Sequence, residues 1–357
     1  MLYNTHLMPA NIRFISAIFF VGSVSLWIRT NPLLTVFILF AVIILSIFLY
    51  ILIKPINISG LISNSNPFSD FGESLLCIEE IIQEEDARGD LSQPGRSILL
   101  HHARKVDNVI VFLHGFTSAP IQFLDLGKKF YQKGYNVFIP RQPCHGLADT
   151  STLALQNYTA QTMVDFTNQV IDIAHGLGER VTIVGLSGGG TMAAWAGQNR
   201  GDVHQAGSIA PMLGAGFIPA PLTKILTKLL LHLPNFYMWW DPAQKAANPL
   251  TEDYQYPGYR IHALGEVLRL AFTVEVGAQQ SAPRADKVTM VSNDNDSSVS
   301  NPRIEQLMAI WRLNGDQTTH YQFPKDLGLV HDFITPTREG FRADIVYPTL
   351  FELFTEV

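Results

Sequence analysis

One serine in this chain has neighbours typical of an enzymatic nucleophile. Ser187 lies in the pentapeptide Gly185-Leu-Ser-Gly-Gly189, which follows a β-branched run at residues 181–184 and precedes an alanine-rich stretch. A strand, a sharp turn and a helix are the parts of a nucleophile elbow, in which the turn holds the serine hydroxyl above the sheet. Gly185 and Gly189 leave room for that strained backbone. The pattern predicts acyl-transfer chemistry on Ser187; the alternative is an ordinary serine at a helix N-cap.

The stretches around this turn alternate between strand and helix patterns. Residues 109–113 are an uninterrupted apolar run, which is typical of a strand buried on both faces of a parallel sheet. The alternation predicts an α/β fold with a parallel sheet, whose strands end where active-site loops lie. His114-Gly115 and Ser187 both follow such ends. The further predicted elements are helices at about 70–86, 121–133 and 159–177 and strands at 97–102, 108–113, 136–140 and 203–211.

Three motifs in sequence order carry a resemblance to a known family. They are His114-Gly-Phe-Thr, Pro140-Arg-Gln-Pro-Cys-His-Gly146 and the Ser187 pentapeptide. Together they resemble the α/β-hydrolase superfamily, most closely its bacterial carboxylesterase and monoacylglycerol-lipase-like branch, over roughly residues 66–357. The resemblance implies an α/β-hydrolase fold, a mostly parallel sheet flanked by helices, with the chain order serine, acid, histidine. It makes His145 part of a structural turn.

Two late histidines compete for the role of general base. His320 lies in an alternating, strand-like run, whereas His331 follows that run in Gly328-Leu-Val-His-Asp-Phe. A catalytic histidine must lie on a loop beyond the last strand, so His331 is preferred. The resemblance agrees, since the family has its histidine in a similar His-Asp-Phe setting. Asp332 is expected to point elsewhere.

Two aspartates compete for the role of the acid that orients the histidine. Asp294 and Asp296 both follow the predicted strand at 287–292. The resemblance favours Asp296, because the family's acid typically opens a D-x-x-V stretch and Asp296-Ser-Ser-Val matches it. Asp294 is then a turn residue that bonds its own backbone.

The oxyanion hole needs two backbone N–H donors aimed at the developing negative charge. One is predicted to be Gly188, directly after the nucleophile. The other comes from the loop after the first buried strand, which makes Phe116 the candidate.

The strand–helix alternation stops for some 75 residues after Pro211. Amphipathic residues 222–233, an aromatic run at 236–241 and a helix at about 262–280 resemble the family's helical cap. We therefore expect a hydrolase core at 59–213 and 286–357, with a cap at 214–285. The aromatic and leucine content predicts a largely apolar acyl pocket.

The first 58 residues are predicted to be a membrane anchor. Residues 33–53 carry no charge and would span about 31 Å as a helix, which matches a bilayer core. A second apolar helix is predicted at about 12–30, so the favoured picture is a two-helix hairpin. A signal peptide and a buried core helix are the alternatives. Arg13 and Lys54 outnumber Arg29 across the hairpin, which favours a cytoplasmic catalytic domain.

Composition limits the remaining classes. The 357 residues are 47% hydrophobic and 16% charged, with a net charge of −6 and no basic patch suited to nucleic acid. Cys77 and Cys144 have no metal-site or disulfide-framework spacing, although a single bridge stays open. No cofactor, metal or obligate protein partner is indicated.

The sequence therefore predicts a membrane-anchored serine hydrolase acting on a small-molecule or lipid ester. An acyltransferase, thioesterase or amidase with the same triad stays open, because all share the same intermediates. So does a non-catalytic membrane scaffold with a hydrolase fold.

Overall fold

The computed structural model describes residues 31–240, 254–315, 317–338 and 340–355. The chain forms two compact units, Met1–Pro55 and Ile56–Val357. In the first, helix α1 (Pro32–Ile53) exposes nearly all of its apolar side chains. By length and composition it is suited to crossing a membrane, a description that a signal sequence near the N-terminus also meets. The helix predicted at about 12–30 lies outside the described residues.

The second unit contains the predicted α/β alternation. Its helices are α2 (Phe71–Ala87), α3 (Leu124–Gln132), α4 (Ala160–Leu177), α5 (Gly188–Asn199), α6 (Thr223–His232), α7 (Ile261–Gln280), α8 (Asn301–Asn314) and α9 (Ala343–Phe354). Its strands are β1 (Ile98–Leu100), β2 (Val106–Leu113), β3 (Asn136–Ile139), β4 (Gly178–Leu186), β5 (Gln205–Ile209), β6 (Tyr237–Trp239), β7 (Gly258–Arg260), β8 (Lys287–Asn293) and β9 (Thr318–Phe323).

Seven strands form one sheet in the order β1-β3-β2-β4-β5-β8-β9. All neighbours are parallel except β1, which pairs antiparallel with β3. The apolar strands β2 and β4 lie at the centre, with Val111 opposite Ile183. Every residue from Val109 to Leu113 is fully buried, as a strand covered on both faces requires.

Helices cover both faces of this sheet. Adjacent residues of β5 show it, since side chains alternate across a strand. Ala206 packs near Gly197 of α5 on one face, and Gly207 faces the Phe354 ring of α9 on the other. A Cβ on Gly207 would lie 2.3 Å from that ring, so the glycine lets α9 pack closely.

The segment between β5 and β8 is not purely helical. It contains α6, an antiparallel pair of strands β6 and β7, and α7, which packs against both α6 and α5. The pair, in which Tyr237 lies opposite Arg260, was not predicted from the sequence. Helices α8 and α9 were not predicted either.

Residues 61–66, which precede α2, are fixed to the core. Leu61 is buried, and its carbonyl accepts a hydrogen bond from Trp195 Nε1 at 3.2 Å. The amide of Asn66 donates to Asp172 Oδ2 at 3.1 Å. Arg200, whose side chain is fully buried, pairs with both Asp172 and Asp202. Residues 55–67 are rich in Ser, Asn, Gly and Pro, a composition typical of a linker. Core side chains nevertheless hold the backbone from Leu61 onward.

Candidate active site

Ser187 occupies a strained turn between β4 and α5. Its φ is 55°, a value that non-glycine residues rarely adopt, and α5 begins at the next residue. The flanking glycines are needed for space. A Cβ on Gly185 would lie 2.1 Å from Gly189 O, and one on Gly189 would lie 2.2 Å from Leu113 O. The local geometry is that of a tight strand–turn–helix with the serine at its tip.

His331 and Asp296 form a close pair at the ends of β9 and β8. Nδ1 of His331 lies 2.7 Å from Oδ2 of Asp296. The aspartate side chain is fully buried, whereas the histidine ring remains 22% exposed. Oδ1 of Asp296 accepts hydrogen bonds from the amides of Ser298 and Val299 at 2.8 and 3.2 Å. Asp294, the rival aspartate, is exposed.

Each member of this pair shifts the other's pKa. Burial lowers the pKa of the His331 imidazole, but the charge of Asp296 and the hydrogen bond to it outweigh burial, so the pKa lies above its ordinary value. Burial also raises the pKa of Asp296. The imidazolium and the two backbone amides reverse this, and the carboxyl pKa is lowered. The pair thus favours a charged imidazolium against a carboxylate.

Ser187 and His331 line the same cavity, which has a volume of about 270 Å³. Among the described residues, none accepts a hydrogen bond from the Ser187 hydroxyl. Serine–base hydrogen bonds are often long in unliganded enzymes and tighten when substrate binds. His320, in contrast, lies on β9 with its Nε2 2.8 Å from Ser292 Oγ.

Two residues with unpaired backbone amides, Gly188 and Phe116, lie close together beside the serine. A Cβ on Gly188 would lie 2.9 Å from Phe116 Cβ and 3.3 Å from Phe116 N, so the two backbones nearly touch. Neither the Gly188 amide nor the Phe116 amide donates a hydrogen bond within the described part of the chain. Phe116 lines the cavity and Gly188 directly follows Ser187, so unpaired amides at these two positions are suited to bind a negatively charged oxygen.

The family of this chain is shown by its match to a family model. Residues 110–324, more than half of the chain, match the family model described as the alpha/beta hydrolase family. The chain belongs to the alpha/beta hydrolase family. No curated protein matches the chain.

Two solved structures illustrate how the hydrolase fold is shared. A monoacylglycerol lipase from Paleococcus ferrophilus is 15% identical with a TM-score of 0.53, over 72% of this chain and 96% of that one. A soluble variant of monoglyceride lipase from Saccharomyces cerevisiae is 15% identical with a TM-score of 0.52, over 73% and 92%. At this identity the likeness concerns the fold.

Two buried histidines brace the loop that carries Phe116. His114 Nδ1 donates to Gly115 O at 3.1 Å, and its Nε2 accepts from Gln142 N at 3.2 Å. His145 Nδ1 donates to Pro143 O at 2.8 Å, and its Nε2 accepts from Thr117 N at 3.3 Å. Since each ring uses one nitrogen as donor and the other as acceptor, both rings are neutral.

Burial is the cause that keeps these rings neutral. It lowers the pKa of His114 well below the ordinary value, and a positive charge on nearby His145 would lower it further. Burial also lowers the pKa of His145 to about 4. His145 thus supports the loop that carries Phe116 through its contact with Thr117, which the sequence did not predict.

Hydrogen bonds through Gln122 connect the loop that carries Phe116 to the loop that carries His331. Gln122 accepts from the Gly115 amide at 2.8 Å and donates to Asp332 Oδ2 at 3.0 Å. Asp332 also accepts hydrogen bonds from Thr335 and Arg338, and its charge contributes to the raised pKa of His331. The role of Gln122 could not be predicted from the sequence, because its partners lie 7 and 210 residues away.

Asn293 is a second positioning residue that the sequence did not reveal. Its fully buried side chain donates to the carbonyls of Leu329 and Val330 at 2.8 and 3.2 Å. These hydrogen bonds hold the end of β8, which leads into the loop that carries Asp296, next to the residues directly before His331. In the sequence, Asn293 resembles any asparagine at a turn.

Proposed function

We propose that this protein is a serine hydrolase that cleaves carboxylic esters through an acyl-enzyme on Ser187. The observation that carries the proposal is the cavity shared by Ser187 and His331, with His331 held by Asp296 and the two unpaired amides beside the serine. Acyl transfer needs a nucleophile, a base and an oxyanion site within reach of one carbonyl group.

In the proposed reaction, Ser187 Oγ attacks the ester carbonyl while Nε2 of His331 takes its proton. Asp296 holds the ring through Nδ1 and stabilises the imidazolium. The amides of Phe116 and Gly188 donate to the oxyanion of the tetrahedral intermediate. The imidazolium then protonates the leaving alcohol, and water repeats the sequence on the acyl-enzyme to release the acid.

The lining of the cavity supports an amphiphilic ester as substrate. The lining includes apolar residues, among them Phe116, Leu186 and Met212, and polar residues, among them Gln122 and Gln255. An acyl chain fits the first and a polar alcohol fits the second. We therefore propose a small-molecule or lipid ester, acylglycerol-like in character.

We further propose that residues 1–58 anchor the enzyme in a membrane, as a two-helix hairpin with a cytoplasmic catalytic domain. The apolar helix α1 supports the anchor. We also propose residues 214–285 as a cap on a core formed by 59–213 and 286–357.

The anchor can be tested by deletion. Removing residues 1–58 should reduce hydrolysis of a vesicle-embedded ester while leaving hydrolysis of a water-soluble ester unaffected. Equal activity of both forms on the embedded ester would contradict the anchor's role in substrate delivery.

The experiment that tests the function is ester hydrolysis by the full-length protein in detergent. A panel of p-nitrophenyl and glyceryl esters of graded chain length should give turnover that Ser187→Ala abolishes. Undiminished turnover in Ser187→Ala would contradict the proposal.

A further inference from the structure

Thr117, the residue after Phe116, has all of its polar groups occupied. Its amide donates to His145 Nε2 at 3.3 Å, and its carbonyl accepts from the Tyr256 amide at 2.9 Å. Its hydroxyl accepts from Trp240 Nε1 at 2.8 Å. Two of these three partners, Trp240 and Tyr256, come from the segment inserted between β5 and β8. The inserted segment therefore holds the loop that carries the proposed oxyanion donor through two hydrogen bonds.

The backbone of Thr117 needs such restraint. Its φ is 70°, in the left-handed region that β-branched residues rarely adopt. A residue persists there only when its surroundings hold it. The Phe116 N–H belongs to the Gly115–Phe116 peptide, which is joined through the Phe116 Cα to the peptide that Phe116 shares with Thr117. A shift of Thr117 would therefore re-aim that donor.

Trp240 is itself held in place. Its amide donates to Pro257 O at 3.0 Å, which extends the β6–β7 pair. The centroid of its ring lies 4.4 Å from the centroid of the Tyr259 ring. It lies 5.9 Å from the centroid of the Phe116 ring, which it meets edge-on. An indole N–H is a donor only, so the direction of the Thr117 hydrogen bond is fixed.

We propose that Trp240 is a positioning residue of the oxyanion hole, which fixes the Phe116 amide through its hydrogen bond to the Thr117 hydroxyl. The inference rests on the proposed function, because it assigns Phe116 as an oxyanion donor. The oxyanion exists only in the transition state and intermediates, so loss of this hydrogen bond lowers kcat and leaves KM nearly unchanged.

Three variants of the full-length protein isolate the hydrogen bond. Trp240→Phe keeps an aromatic ring and removes the N–H, and Thr117→Val keeps the branched shape and removes the acceptor. The double variant completes a cycle. Trp239→Phe is the matched control, since that neighbouring indole packs on Tyr237 and does not line the cavity. Thr117→Ser restores the acceptor.

The measurement is kcat and KM on p-nitrophenyl acetate, whose short acyl group makes little use of the apolar wall, with thermal melting as the folding check. Trp240→Phe and Thr117→Val should each lower kcat about tenfold with KM within about twofold, less than the loss of a direct donor. The double variant should lose no more than either single variant, since both remove one interaction. Thr117→Ser should recover most of the rate, and Trp239→Phe should match the native protein.

Additive losses, an unchanged kcat in Trp240→Phe or an effect confined to KM would overturn the inference while leaving the proposed function intact. A native protein that neither hydrolyses the ester nor reacts with a fluorophosphonate at Ser187 would overturn the proposed function, and this inference with it.

Discussion

Oδ2 of Asp296 lies 2.7 Å from Nδ1 of His331, and the other carboxylate oxygen is held by two backbone amides. The carboxylate therefore cannot rotate away from the ring without losing three hydrogen bonds. This arrangement leaves Nε2 as the nitrogen available for proton transfer, on a ring that lines the same cavity as Ser187.

The acid position can be tested with two neighbouring aspartates. Asp296→Asn should lower kcat by about 10⁴-fold, because an amide no longer stabilises the imidazolium or fixes its tautomer. Asp294→Asn is the matched control and should retain native turnover, since Asp294 is exposed. A comparable loss in Asp294→Asn, or native turnover in Asp296→Asn, would contradict the assignment.

The pH dependence should report the His331–Asp296 pair. His331 must be neutral to accept a proton, so kcat/KM should fall as the pH decreases through the pKa of His331. Because Asp296 raises that pKa, the inflection should lie above about 6.5. In Asp296→Asn the residual activity should have its inflection at lower pH. An inflection that does not move would show that another group titrates.

Gly188 should not accept a side chain. The Cβ of Gly188→Ala would lie 2.9 Å from Phe116 Cβ, so the two proposed oxyanion donors must separate. We expect kcat to fall about 10²-fold, as for loss of one oxyanion donor. Gly201→Ala is the control, because its Cβ would meet nothing closer than 3.6 Å. Native kcat in Gly188→Ala would argue against this pair of donors.

Arg200 should matter for stability rather than catalysis. Its buried guanidinium pairs with Asp172 and Asp202. It also donates a hydrogen bond to Ser65 Oγ, which includes the segment before α2 in the same network. Arg200→Met leaves two partly buried carboxylates without their cation and should lower the free energy of unfolding by about 3 kcal/mol, the low end for a buried pair, measured by urea denaturation. Arg88→Met removes an exposed ion pair and should change it little. Similar losses in both variants would contradict the role of this network.

The neutral histidines should make the fold sensitive to acid. Burial lowers the pKa of His145 to about 4 in the folded protein, whereas the unfolded chain keeps about 6.5. Between these values the unfolded state binds more protons, so stability is full above about pH 6.5 and falls as the pH drops toward 4. The slope is at most about 1.4 kcal/mol per pH unit for this group. The urea midpoint of His145→Gln should depend less on pH in this window, and an unchanged dependence would contradict the account.

The sequence predicted the core of the sheet because each central strand has a local signature. The apolar runs of β2 and β4 and the capped helix α4 follow from their own residues, and the glycines around Ser187 specify its turn. The family and the α/β-hydrolase fold followed from the same motifs, and the family match confirms them.

Features that depend on distant partners were not predictable. The β6–β7 pair joins two three-residue strands about twenty residues apart, too short for any period to appear. β1 pairs with β3 although β2 follows it in sequence, since the pairing is chosen by the whole sheet. The hold of Arg200 on residues near 65, and of Trp240 on Thr117, likewise joins positions more than 100 residues apart.

The most direct test of the central claim is the site of covalent labelling by a fluorophosphonate. We predict that the full-length protein reacts at a single residue, Ser187, that mass spectrometry locates the adduct there, and that Ser187→Ala loses both labelling and ester hydrolysis. Labelling at another residue, or ester hydrolysis that survives in Ser187→Ala, would contradict the account.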